Sequence, residues 1–190
     1  LPALASIAAR DGEDRWTRAA VLSGINGRID AFLAALRRER DVNPRAFAVV
    51  MEQLGRVFGA GAPLESARSF LREMLSGEGE LSWRFASALG LIEGFRARPG
   101  AKAAAGSDPF AALLGGEGRN SAAVQTFFRA AATRALEPKA STGERLNAIA
   151  LLGYGDFEGS GPTLGRLLDA RQPPEVQLQA VRALERIGDA

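Results

Sequence analysis

The chain contains neither cysteine nor histidine. Without thiols there is no disulfide, no thiolate nucleophile and no cysteine-based zinc site. Without imidazole there is no histidine base, proton shuttle or metal ligand. A chain free of cysteine suits oxidising and reducing compartments equally. Lysine is nearly missing as well: Lys102 and Lys139 are the lysines, and every other basic residue is arginine. Long apolar runs are also absent. The longest, around Phe47-Ala48-Val49-Val50-Met51, is flanked by charge and falls far short of the ~20 residues that cross a bilayer, so direct membrane insertion is not expected. No stretch alternates apolar and polar residues as a half-buried strand does. Few β-branched residues and much alanine favour helix throughout.

With 190 residues and 46% hydrophobic content, the chain is long and apolar enough to bury a core and fold. Its net charge is only +2. The pI near 9.6 reflects that small excess in a chain with no histidine to buffer it. Acids are interspersed among the arginines almost everywhere, which fits genomic composition better than a phosphate-binding surface. The sequence opens at Leu1 directly on a helical pattern, without an initiator methionine or a signal peptide, as an excised piece or a processed product would.

Helical periodicity runs along the chain with explicit start and stop signals. The final segment is the clearest. Pro174 suits a first helical turn, Gly188 suits the position just past the end, and Val176, Ala180, Leu184 and Ile187 share a face with Val181 beside them. Earlier helices are expected over 1–10, 15–25 and 29–40. Asn43-Pro44 starts another, carrying Phe47, Val50, Met51, Leu54 and Phe58 inward, which Gly59-Ala60-Gly61 should break. Pro63 opens a helix to about Leu75, and Leu81–Ala97 reads as amphipathic through Leu81, Phe85, Leu89 and Ile92. The stretch 98–107, rich in Gly and Ala, is expected to be a mobile loop. Short helices follow from Asp108-Pro109 and from Pro162, and longer ones over 120–136 and from Ser141 or Thr142. Gly153–Gly161 reads as a loop.

The longer helices start near Asp14, Pro44, Leu81, Ser121, Thr142 and Pro174. These spacings are irregular but close to the roughly 30–45 residues of two-helix repeats. Tetratricopeptide and ankyrin signatures are missing, whereas HEAT-like repeats require only two packed helices per unit stacked on their neighbours. The expected fold is therefore all-α: a HEAT-like α-solenoid of about five or six stacked antiparallel helical hairpins, forming a single domain over residues 1–190.

Two stretches carry a family resemblance. One is Leu167-Leu168-Asp169-Ala170-Arg171-Gln172-Pro173-Pro174-Glu175-Val176-Gln177 with Ala180-Val181-Arg182-Ala183-Leu184. The other is Leu4-Ala5-Ser6-Ile7-Ala8-Ala9-Arg10-Asp11 with Trp16-Thr17-Arg18-Ala19-Ala20-Val21-Leu22. Both resemble the HEAT-like segment of large bacterial, planctomycete-type membrane-bound dehydrogenases, which lies between a β-propeller and a c-type cytochrome domain. The likeness is specific near the two ends of the chain. It implies a spacer or docking module in an exported, periplasmic electron-transfer protein, with the haem carried on another segment. The haem-attachment motif C-x-x-C-H is not in this chain, since both residue types are missing. No catalytic residue, metal or cofactor is implied for this segment, and its expected partners are protein or neighbouring domains.

Several stretches invite a sharper reading. Gly153-Tyr154-Gly155-Asp156-Phe157-Glu158-Gly159-Ser160-Gly161 could offer Asp156 and Glu158 to a cation, but no strand precedes it and a calcium loop needs more oxygen ligands. An inter-repeat turn is the simpler reading. Gly115-Gly116-Glu117-Gly118-Arg119-Asn120-Ser121 precedes a helix whose N-terminus would attract anions, yet it also reads as a plain stop followed by a cap. Arg37, Arg38 and Arg40 form the densest basic cluster and the one candidate interaction surface. Glu39 and Asp41 dilute it, no aromatics are interleaved, and cations at a helix C-terminus need no ligand, so nucleic acid is not the expected partner. Trp16 and Trp83 are expected in the core or between repeats. No nucleophile–base pair stands out. A stand-alone protein-binding module and a HEAT-like enzyme remain the competing classes.

Overall fold

The computed structural model describes residues 1–25, 27–77, 80–99 and 108–188. Regular structure among them is helical throughout. It comprises α1 (Pro2–Asp11), α2 (Arg15–Gly24), α3 (Ile29–Leu36), α4 (Pro44–Gly61), α5 (Leu64–Ser76), α6 (Leu81–Arg96), α7 (Pro109–Leu114), α8 (Ala122–Leu136), α9 (Thr142–Leu152), α10 (Phe157–Arg166) and α11 (Pro174–Gly188). Most of the loop expected over 98–107 lies outside the described residues. Side-chain caps start many of these helices. Asp14, Asn43 and Asp156 accept backbone N–H groups of the first turn, and Ser141 with Glu144 forms a capping box ahead of α9.

The helices form pairs, and the pairs touch in order. α5 packs on α6, α8 on α9 and α10 on α11. Across the pairs, α6 touches α9 and α9 touches α11, while α5 touches α8 and α8 touches α10. α4 lies along α6, and α1 joins α2, α3 and α4 at the N-terminal side. One continuous apolar core runs through these contacts, from Ala5 and Phe32 past Met51, Leu71 and Leu91 to Ile149 and Val176.

The tightest contact is between α4 and α6. A Cβ placed on Gly90 would stand 2.0 Å from the Glu52 carbonyl oxygen, and one on Gly94 2.1 Å from that of Arg56. From the other side, a Cβ on Gly55 would stand 2.3 Å from the Ser87 oxygen, and one on Gly59 2.1 Å from that of Leu91. Ascending residues of α4 meet ascending residues of α6, so the two helices run parallel. Their backbones touch through two facing Gly-x-x-x-Gly pairs, and any side chain would force them apart.

This contact corrects two expectations. Gly59-Ala60-Gly61 does not break the helix at Phe58, because α4 continues to Gly61 with Gly59 serving the seam. Nor is α6 amphipathic: Trp83 through Ile92 are buried without interruption. α4 on one flank and α5, α7 and α9 on others leave this stretch no solvent face.

Other boundaries differ too. The helix expected over 29–40 ends at Leu36 and tightens into one 3-10 turn over Arg37–Glu39. The expected loop over Gly153–Gly161 is helical from Phe157, with Asp156 as its cap and Pro162 inside. The carbonyl that Pro162 leaves without an intrahelical donor is that of exposed Glu158, where water can reach it. In α11 the buried stripe is Val176, Ala180 and Ala183, with Leu184 and Ile187 half-buried and Val181 exposed.

Arginine closes the helix ends. Arg18, Arg84 and Arg145 each stand fourth in α2, α6 and α9, and each reaches back, Arg84 and Arg145 to the end of the helix before and Arg18 to the turn just after α1. Arg18 donates to Gly12 O and Glu13 O at 2.6 and 3.0 Å. Arg84 donates to Met74 O at 2.8 and 2.6 Å and to Leu75 O at 2.9 Å. Arg145 donates to Ala135 O at 3.0 Å and to Gln172 Oε1 at 2.7 Å. Arg98 does the same for α4, at Gly59 O and Ala62 O, and Arg68 and Arg186 for Ala112 O and Ala150 O. The last carbonyls of a helix have no intrahelical donor, and a planar guanidinium can satisfy two at once.

Urea unfolding of three variants tests this frame. Gly90→Ala should cost about 2–3 kcal/mol or more, since carbonyl oxygen and not a flexible side chain occupies the Cβ position. Gly165→Ala, where a Cβ meets nothing within 4 Å, should stay within about 1 kcal/mol of the parent, on the stabilising side. Arg84→Met should lose about 2–3 kcal/mol by stranding buried carbonyls.

Candidate functional site

A cavity of about 630 Å³ opens where α7, α8 and the start of α10 meet. It draws on both glycine-containing stretches singled out in the sequence, one supplying Arg119 and Asn120, the other Gly155 to Ser160. α8 contributes the floor through Val124, Phe128 and Ala132 at successive turns, with Gln125 and Arg129 along the rim. Asp156 and Glu158 stand on the opposite side. Only glycine fits at position 155 of this lining, since a Cβ there would stand 2.4 Å from Ser160 Oγ and 3.1 Å from the Phe128 ring.

Most of its charged groups already have work. Arg119 is ion-paired with Asp108, donates to the Tyr154 carbonyl and lies 5.6 Å from the centroid of the Phe110 ring. Burial lowers its pKa, and the nearby Asp156 carboxylate opposes that shift. Asp108 also accepts the Phe110 N–H at 2.9 Å as the cap of α7. Arg129 turns back on its own helix, to Gln125 O at 3.4 Å and Thr126 Oγ1 at 3.3 Å. Asp156 accepts the Gly159 N–H at 2.6 Å. Glu158, Asn120 and Gln125 are exposed, and their side chains make no hydrogen bond or ion pair among the described residues.

The cavity holds no assembled acid–base pair, and among the described residues no three acidic side chains cluster as a metal site would require. What it offers is an apolar floor between a carboxamide-bearing wall and a carboxylate-bearing one. The sequence reading names Arg119, Asp156 and Glu158 without linking them, and gives Asp108 only as a helix start. Nothing in the spacing of Asp108 and Arg119 across a turn shows that they pair.

The basic cluster is dispersed. Arg37 is bound to Glu73 of α5 at 2.5 Å, Arg40 faces Asp41 at 3.8 Å, and exposed Arg38 has no ion pair among the described residues. Arg40 also borders a smaller cavity of about 180 Å³ with Asp41, Glu80, Phe47 and Trp83. Trp83 is buried edge-on to Phe47, with centroids 5.6 Å apart, as expected of a core residue. Trp16 is not: it is 70% exposed, with the Arg15 guanidinium 4.6 Å above its ring. As the second residue of α2 it stands on the outward side, while Val21 carries the buried contact. None of the described helices is long and apolar enough to cross a membrane.

Beside the cavity, Tyr154 is buried, its hydroxyl has no hydrogen-bond partner among the described residues, and Arg186 lies 4.5 Å above its ring. Burial pushes its pKa above the ordinary 10.0, against the opposing charge of Arg186. The native state therefore holds this proton more tightly than the unfolded chain. Stability is unaffected below pH about 10 and falls as pH rises beyond it. Because Tyr154 is the single tyrosine, near-ultraviolet phenolate absorbance reports it alone. That absorbance should stay absent past the ordinary tyrosine value and then rise together with loss of helical circular dichroism. Tyr154→Phe should delay the alkaline transition while leaving neutral-pH stability within about 1 kcal/mol.

Compared with known proteins, the chain matches no family model, no curated protein and no solved structure.

Proposed function

We propose that this chain is a non-catalytic scaffold, a HEAT-like α-solenoid whose surfaces hold neighbouring domains or a protein partner in place. The observation that carries the reading is the ordered succession of contacts: α6, α9 and α11 in one row, α5, α8 and α10 in another, each hairpin resting on the next. The arginine repeated at the fourth residue of α2, α6 and α9 supports the same unit structure. Polar groups are spent largely on closing helix ends, which suits a rigid spacer. The resemblance of the two end segments to planctomycete-type dehydrogenases supplies the setting. There the chain would lie in the periplasm between a propeller and a c-type cytochrome domain, with no cofactor of its own. A free-standing protein-binding module is the alternative.

Intact mass and visible absorbance of the natural gene product separate the two. The spacer reading expects a protein much larger than 20.0 kDa that carries a Soret band from covalent haem. A haem-free product close to that mass would remove the electron-transfer setting and leave the binding module. Tight binding to a DNA duplex that collapses with added salt would overturn both.

A further inference from the structure

We infer that the groove between α8 and the start of α10 docks an extended segment of a protein partner, one that presents a basic side chain close to an apolar one. The inference rests on the interaction-module reading and names the surface that would do the binding. Its floor is apolar: Val124, Phe128 and Ala132 follow one another by single turns over about 12 Å of helix axis, the reach of about four extended residues. Phe128 is half-buried, so its ring offers an anchor seat rather than a sealed core surface.

The edges specify the chemistry. Along α8, the carboxamides of Asn120 and Gln125 stand exposed without a partner among the described residues, each able to donate to a peptide carbonyl and accept from a peptide N–H. Across the groove the uncommitted charge is negative. Arg119 is held by Asp108 and the Tyr154 carbonyl, and the Arg129 cation stands on the α8 rim, so the negative edge is that of α10, where Glu158 is exposed with no ion pair among the described residues and Asp156 lies beside it. A lysine or arginine is the complement of that edge, and an apolar neighbour fills the seat over Phe128. At about 630 Å³ the groove accommodates such a segment.

The test pans a phage-displayed library of random octapeptides on the folded chain, then measures synthetic versions of the enriched peptides by fluorescence anisotropy. Enrichment of a basic residue within a few positions of an apolar one is expected. Glu158→Lys should weaken these peptides by about tenfold or more, Gln125→Ala by less, and Glu185→Lys, the same charge change on the exposed face of α11, should leave them unchanged. Circular dichroism checks that each variant is folded. Failure to enrich any peptide, or enrichment of acidic ones, overturns the inference. Peptides that bind with equal affinity to the Glu158→Lys and Gln125→Ala variants overturn the groove but leave the interaction module standing. The mass and haem measurement decides the spacer setting independently of either result.

Discussion

The arrangement depends on one close approach, the glycine seam of α4 and α6. Two helix backbones touch there because Gly55 and Gly59 face Ser87, Leu91 and Phe95 while Gly90 and Gly94 face Glu52, Arg56 and Ala60. Close contact along a seam fixes the axial position of one helix against the other, since sliding would drive ordinary side chains into carbonyl oxygens. α6 is then the element against which α5, α7 and α9 are placed. Its burial follows from position, not from composition: Arg84, Ser82 and Ser87 are buried in it alongside Phe85 and Leu91. Each polar member must therefore find a partner, and Ser87 does so at Trp83 O, 2.7 Å away, and Arg84 at the end of α5.

Arginine accounts for the second level of order. Its abundance reads from composition as a neutral bias, and part of it remains so, in exposed residues such as Arg38 and Arg182. A substantial share, however, is buried or half-buried at helix ends. Lysine could not replace it there. An ammonium is a compact, strongly hydrated point charge that loses its proton on burial more readily, whereas the guanidinium stays charged and spans two carbonyls in one plane. Burial does lower Arg84, but from so high a starting value that the cation persists.

Helix existence was legible from periodicity and caps. Asn43-Pro44, Ser141 or Thr142, and Pro174 mark starts that the structure keeps, with Ser141 as the cap of the second. Glycine was the residue that misled. Gly59 was read as a breaker, as its low helix propensity suggests, yet tertiary packing outweighs a cost of about 1 kcal/mol. The spacing of Gly55 with Gly59 and of Gly90 with Gly94 was visible, but nothing local says that the two pairs face each other. Around Asp156 the glycine-rich run reads as a turn, yet the helix already starts at Phe157, with Asp156 accepting the Gly159 N–H as its cap. The cavity assembles residues from Phe110 to Ser160, and such convergence is a property of stacking that no single window contains.

The direction of the arginine contacts has a consequence for biogenesis. Arg18 serves α1, Arg84 serves α5, Arg98 serves α4, Arg145 serves α8 and Arg186 serves α9, so in each case the donor lies later in the chain than the carbonyls it satisfies. During synthesis, which proceeds from the N-terminus, each of these helices emerges with its last turn open. That turn closes only when a later stretch has been made and has turned back, the next helix for α5 and α8 but two elements on for α4 and α9. The closing order need not follow the helix order: α5 is closed by Arg84 before α4 is closed by Arg98, and α7 meets an arginine, Arg68, that is already made.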